Sequence, residues 1–185
     1  MTPSPRAALA WILGVALALR LLMALAWSLP LGGDELDYHR LGGTVAEGQG
    51  IVDVNGSPSS FRPPLYPALV GGLYGLFGER PGAVRVVQAV VGVLAVALTY
   101  RLGRRALGVG VGLVGAGLMA VDLGQIALAG RLLSEGVFTA LLLGLVLASL
   151  AAAERLERGE EAWGPAAAAG ALSALGALTR GILLP

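Results

Sequence analysis

Gly33-Asp34-Glu35-Leu36-Asp37-Tyr38 places three carboxylates within four residues, directly after a long apolar run. Carboxylates at a lipid–water boundary are poor anchors but suit proton transfer, because one within reach of an acceptor hydroxyl or amine can act as general base. Carboxylates at i and i+1 do not share a helix face, so Asp34 and Glu35 need different partners, whereas Asp34 and Asp37 at i, i+3 can share one. The bland alternative is that all three only solvate the loop after the first span. Downstream, Phe61-Arg62-Pro63-Pro64-Leu65-Tyr66-Pro67 sets a guanidinium before two prolines that stiffen the chain. Such a group can hold a phosphate in fork geometry and stabilise charge on a departing phosphate. It reads equally as a rim charge before a turn. Arg131-Leu132-Leu133-Ser134-Glu135 puts a cation and a carboxylate at i, i+4, the spacing of a helix-surface ion pair worth roughly a few tenths of a kcal/mol. Thr179-Arg180 closes the last apolar run, either as a snorkelling anchor or as a further cation for the same chemistry.

These clusters sit in a chain built for lipid. Its 185 residues are 56% hydrophobic and only 14% charged, with mean hydropathy +0.76; a soluble domain carries roughly 25% charged residues. A net charge of +1 provides no basic field for nucleic acid. Every one of the 13 cationic residues is arginine, which reads as composition bias more than mechanism, although arginine suits bidentate phosphate contacts. The absence of cysteine removes disulfides, thiolate catalysis and cysteine metal sites, and the single histidine, His39, cannot build a zinc site alone. A divalent cation is permitted but not required, and carboxylates would have to hold it, with Asp34 and Glu35 as the candidates. Arg6 and Ala24-Leu25-Ala26 imitate the flanks of a cleaved signal. Arg20 interrupts that run and apolar character then resumes, so a retained first span is expected.

Crossing the hydrocarbon takes roughly 20 apolar residues. Segments 7–30, 84–103, 106–124, 134–153 and 163–184 meet or approach this. The expected fold class is therefore all-α: a polytopic transmembrane helical bundle of about five spans, with short interfacial helices in a first outer loop over 31–83. Arg85 and Arg101 bracket the second span, and small residues at four-residue spacing (Gly108/Gly112/Ala116, Gly170/Ala174) permit close helix contact. Arg20, Gln88 and Gln125 lie in or near spans and are expected to face other helices. Segment 64–78 decides the sidedness. It is apolar but short, and it opens on Pro63, Pro64 and Pro67. If it spans, the 131–135 cluster lies on the opposite side from Asp34. If it rests along the outer interface, with Tyr74 and Phe77 at headgroup depth, then Arg101, Arg104, Arg105, Arg155 and Arg158 fall inside with Arg6, as the positive-inside rule prefers. Asp34, Glu35, Asp37, Arg62, Arg131, Glu135 and Arg180 then gather at one outer face. Only that arrangement makes a single site.

In their order these motifs resemble the GT-C class of integral-membrane glycosyltransferases, in particular the bacterial family related to protein O-mannosyltransferases and to the aminoarabinose transferase of lipid A. The likeness is carried by Leu19-Arg20-Leu21, Gly33-Asp34-Glu35 with Asp37-Tyr38, and Phe61-Arg62-Pro63-Pro64-Leu65-Tyr66-Pro67. It continues through Tyr100-Arg101-Leu102-Gly103-Arg104-Arg105 and Arg131-Leu132-Leu133-Ser134-Glu135 to Ala177-Leu178-Thr179-Arg180, and so covers essentially the whole chain. The resemblance implies a multi-pass enzyme of the plasma (inner) membrane whose active site faces the periplasm or cell exterior. It implies a polyprenyl-phosphate-linked sugar as donor, the lipid bilayer as setting, and a glycan, lipid or protein as acceptor. Asp34 is then the catalytic base, with Glu35 as the second catalytic carboxylate, and transfer inverts the anomeric centre. Arg62 contacts the carrier phosphate, and Asp37, Tyr38, Tyr66, Arg131, Glu135 and Arg180 complete the substrate-binding set. Members of the family are several hundred residues long, so 1–185 is expected to be the N-terminal portion of such an enzyme.

Two other classes make different demands. A non-catalytic module that binds polyprenyl phosphate or a partner would need the arginines but not Asp34. A transporter or flippase fragment calls for ionisable residues deep in several spans and an internal repeat; only Arg20 lies well inside a span, and no repeat is evident. Because the chain lacks cysteine, sidedness is directly measurable. Single cysteines at 34 and 135 should react with an impermeant thiol reagent from one side of the membrane, and one at 103 from the other. Labelling of 34 and 135 from opposite sides would break the single-site arrangement.

Overall fold

A computed structural model describes residues 4–26 and 30–181. Among the described residues the regular secondary structure is all helical, apart from one isolated antiparallel bridge, Val52 with Pro58. Its helices are α1 (Pro5–Ala26), α2 (Asp34–Ala46), α3 (Leu65–Phe77), α4 (Pro81–Leu107), α5 (Val109–Val121), α6 (Leu123–Ala129), α7 (Glu135–Glu157) and α8 (Trp163–Thr179). Helices α1, α4 and α7 are each long and apolar enough to cross a membrane, and α5 with α6 makes a fourth crossing if their 56° bend is one broken span. The chain is thus an all-helical membrane bundle. Helix α8 has 17 residues, about 26 Å at 1.5 Å per residue against a hydrocarbon core of roughly 30 Å; residues 182–184 of its expected span lie outside the described residues. So do residues 27–29 of the first expected span, and Pro30 is not helical. Helix α3, at 13 residues, is about 20 Å long and too short to cross.

The continuous span expected over 106–124 is not continuous. Helix α4 runs on to Leu107, Gly108 turns the chain at φ 96° to start α5, and Asp122 ends α5 in an extended conformation. The Asp122 carboxylate then accepts from the Gln125 N–H at 2.7 Å, capping α6. A break inside an apolar bundle leaves helix-end carbonyls without their usual partners. Two buried side chains supply donors. Arg20 of α1, fully buried, donates from Nη1 to Ala120 O and from Nη2 to Met119 O, both at 3.0 Å, at the carboxyl end of α5. Gln88 of α4 donates from Nε2 to Leu128 O at 3.1 Å in the last turn of α6, and to Arg131 O at 2.9 Å and Leu133 O at 3.3 Å beyond it.

Packing then fixes the frame. Ala16, Val96, Tyr100, Ala116 and Ala120 join α1, α4 and α5 in one core cluster. Where α4 meets α5 the contact is nearly backbone on backbone: a Cβ at Gly112 would lie 2.7 Å from Tyr100 O and 2.8 Å from Arg104 N. A second cluster of Tyr38, Tyr66, Val70, Tyr74, Val84, Leu132 and Val137 joins α2, α3, α4 and α7. Helix α2 sits on α3 at another close approach, since a Cβ at Gly71 would strike Val45 and come within 3.0 Å of Gly42 O. The His39 Nδ1–Tyr74 hydroxyl hydrogen bond, 2.8 Å, ties the same pair of helices. Gly112→Ala should therefore lower stability by about 1–3 kcal/mol through overpacking. Gly117→Ala, where a new Cβ meets nothing within 4 Å, should be neutral or gain roughly 0.5–1 kcal/mol. Thermal unfolding of both variants in the same detergent tests this; equal melting temperatures would contradict the close approach.

Candidate active site

Helix α2 begins at Asp34, so its first turn carries all three carboxylates of the opening motif. They diverge as helical geometry requires. Asp34 and Asp37 share Arg62: Nη2 lies 2.5 Å from Asp34 Oδ1 and 2.8 Å from Asp37 Oδ2, and Nη1 lies 3.2 Å from Asp34 Oδ2. These contacts, the hydrogen bonds donated to Asp34 foremost, hold the Arg62 guanidinium above its ordinary pKa, so it stays cationic. It also lies over the rings of Phe61 at 4.8 Å and Tyr38 at 5.3 Å. The loop that delivers it is ordered by Arg40, which donates to Val52 O at 2.9 Å, and by Asp53, which accepts from the Asn55 and Ser57 N–H groups.

Glu35 turns the other way. It is 3% exposed; Oε1 accepts the Leu132 N–H at 2.9 Å, and Oε2 lies 3.3 Å from both Nε and Nη2 of Arg131. The Arg131–Glu135 pair suggested by i, i+4 spacing does not form, because α7 begins only at Glu135 and Arg131 lies before it. Arg131 is instead bound to Glu35, and Glu135 Oε1 pairs with Arg180 Nη1 at 2.7 Å. A cation before α7 and a carboxylate in its first turn are thus joined to α2 and to the end of α8.

The expected site residues divide accordingly. Asp34, Tyr38, Arg62, Glu135 and Arg180 line one cleft of about 220 Å³ together with Pro63, Ser134, Thr179 and Gly181. Asp37 reaches it through Arg62. Glu35, Tyr66 and Arg131 do not line it. Tyr66 is fully buried, packs edge-on against Tyr38 with ring centroids 4.7 Å apart, and donates its hydroxyl to Gln88 Oε1 at 2.7 Å. Its hydroxyl and ring are thus both engaged within the core. Gln88, given no chemistry from sequence, joins Tyr66 to the backbone that carries Arg131 and Ser134. A glutamine in an apolar helix was its visible signal. Asp34 and Glu35 point to different partners, and among the described residues no three His, Cys, Asp or Glu side chains converge as a metal set.

Beside the polar cleft runs an apolar groove of about 470 Å³ lined by Ser59 to Pro64, Ala177, Leu178 and Gly181. Cleft and groove share Arg62, Pro63 and Gly181, so the guanidinium stands at their junction. Arg62 Nε and Glu135 Oε2 are buried without a hydrogen-bond partner among the described residues, although their remaining polar atoms are paired.

A family model described as dolichyl-phosphate-mannose-protein mannosyltransferase matches residues 61–184. The matched region contains Arg62, Glu135 and Arg180 and begins downstream of Asp34. Neither a curated protein nor a solved structure matches the chain.

Glu35 and Asp34, adjacent in sequence, should respond differently to truncation. Glu35→Ala leaves the buried Leu132 N–H without its acceptor and should cost about 1–3 kcal/mol. Asp34→Ala, at a side chain 54% exposed, should cost less than about 1 kcal/mol. Melting temperatures that fall equally for the two would reject the division of labour.

Proposed function

Since the chain belongs to the dolichyl-phosphate-mannose-protein mannosyltransferase family, a family of membrane glycosyltransferases with lipid-linked sugar donors, we propose that its polar cleft is the transfer site. Asp34 acts as general base, and Arg62 with Arg180 receives the donor phosphate. The polyprenyl chain of the donor lies in the apolar groove and its phosphate at the junction. The acceptor hydroxyl or amine gives its proton to Asp34 and attacks the anomeric carbon; the bond from that carbon to the phosphate oxygen breaks, and its electron pair leaves with the polyprenyl phosphate. Attack opposite the leaving group inverts the anomeric centre. The cleft faces the periplasm or cell exterior.

The observation that carries this reading is the position of Arg62. One guanidinium at the boundary of a charged cleft and an apolar groove matches a ligand whose phosphate joins a sugar to a hydrocarbon chain. Developing charge on the leaving phosphate would meet two cations there. The same observation adds a step. Arg62 already binds both oxygens of Asp34, and a carboxylate so occupied is a poor base. Donor phosphate and Asp34 compete for one guanidinium, so donor binding transfers Arg62 to the phosphate and frees Asp34 for the acceptor. The two unpartnered atoms, Arg62 Nε and Glu135 Oε2, offer further hydrogen bonds to the donor headgroup.

Asp34→Asn should lower transfer by a factor of about 100 or more, the usual share of a general base, while donor binding stays equal or tightens because the rival for Arg62 has lost its charge. Arg62→Gln should weaken donor binding. Transfer from a lipid-linked sugar by enzyme in vesicles, with donor affinity measured separately, distinguishes the two effects. Undiminished turnover in Asp34→Asn would reject Asp34 as base.

A further inference from the structure

The far end of the bundle carries a second charged pocket that the transfer chemistry does not use. Arg101, Arg104 and Arg105 in the last two turns of α4 line a cavity of about 440 Å³ whose remaining wall is Leu147 of α7. The three arginines share a helix face by their i, i+3 and i+4 spacing. Arg105 is engaged: Nε and Nη2 hold Glu154 Oε1 and Oε2 at 2.6 Å each, a bidentate clamp joining α4 to α7. Arg101 and Arg104 have no carboxylate partner among the described residues. Depth also matters. Helix α4 has 27 residues, about 40 Å, so a core of roughly 30 Å entered near Pro81 is left near Arg101. The arginines then lie at headgroup level. Leu147, seven residues before Glu154 on the same face of α7, lies about 10 Å deeper. Two free cations at headgroup depth above an apolar wall match one kind of occupant.

We propose that this pocket binds an anionic phospholipid, with its phosphodiester between Arg101 and Arg104 and an acyl chain along Leu147. Basic pockets between membrane helices are suited to such headgroups. The Arg105–Glu154 clamp sets the width of the pocket by fixing α4 against α7. The site is separate from the donor cleft, at the opposite ends of α4 and α7, so it stands whether or not Asp34 is the base.

Native mass spectrometry of the whole chain in neutral detergent, with phosphatidylglycerol or phosphatidylcholine added, tests it. Phosphatidylglycerol should be retained at least about five-fold more strongly, and each neutralised arginine should lower its retention by about five-fold. Arg101→Gln/Arg104→Gln together should then abolish the preference. Arg101→Lys/Arg104→Lys should keep most of it, which separates loss of charge from loss of fold. Arg158→Gln, charged but outside the pocket, should keep it fully. The proposal is overturned if the double glutamine variant still prefers phosphatidylglycerol, or if Arg158→Gln lowers the preference as much. Displacement of the lipid by equimolar inorganic phosphate would also overturn it, since that would mark a free-anion site.

Discussion

A helix broken inside an apolar bundle must find donors for the carbonyls it exposes, and much of this protein answers that demand. In lipid each unsatisfied backbone group costs several kcal/mol, so Arg20 stabilises the bend at the end of α5 and Gln88 stabilises the turn at the end of α6. Arg20 closes the carbonyls at 119 and 120, and Gln88 those at 128, 131 and 133. A straight helix through this region would keep Arg131 to Glu135 in helical register, as an i, i+4 pair on one surface. The break instead lets the chain fold back beneath α2, where Leu132 and Arg131 receive Glu35 and Glu135 opens α7 towards Arg180. The cleft is thus a consequence of two polar side chains buried in spans.

Charge pairing within the cleft follows one rule. Each carboxylate near it is bound to an arginine distant in sequence: Asp34 and Asp37 to Arg62, Glu35 to Arg131, Glu135 to Arg180. Buried Glu35 makes three contacts, and removing one partner would strand the others. The partly exposed pairs are cheaper to open. Asp34 and Glu35 are neighbours in the motif, yet that difference in burial leaves the Asp34 pair open to exchange and the Glu35 pair closed to it.

How much of this the sequence discloses depends on distance along the chain. The apolar runs locate α1, α4 and α7, whereas hydropathy leaves 64–78 open between a span and an interfacial helix, a choice that turns on the 13-residue length of α3. The i, i+3 relation of Asp34 and Asp37 is local, and it is enough to foresee a shared partner. The pairing of Glu35 with Arg131 is not legible, because it joins residues 96 apart that only the α5–α6 bend brings together. That bend had a signal: Asp122 with Gln125 three residues on is a helix-start pattern inside an apolar run. Hydropathy alone masks it. Tyr66 shows how side-chain direction escapes the sequence: it stands near Arg62 in the motif, and its direction on α3 takes the ring inward to Tyr38 and Gln88.

The most direct test is a structure of the enzyme in a lipid nanodisc with a polyprenyl phosphate bound. The phosphate should lie within about 4 Å of the Arg62 and Arg180 guanidinium groups, with the hydrocarbon chain along Ala177 and Leu178 and Asp34 released from Arg62. A phosphate bound elsewhere, or one bound while Arg62 still holds both oxygens of Asp34, would contradict this arrangement.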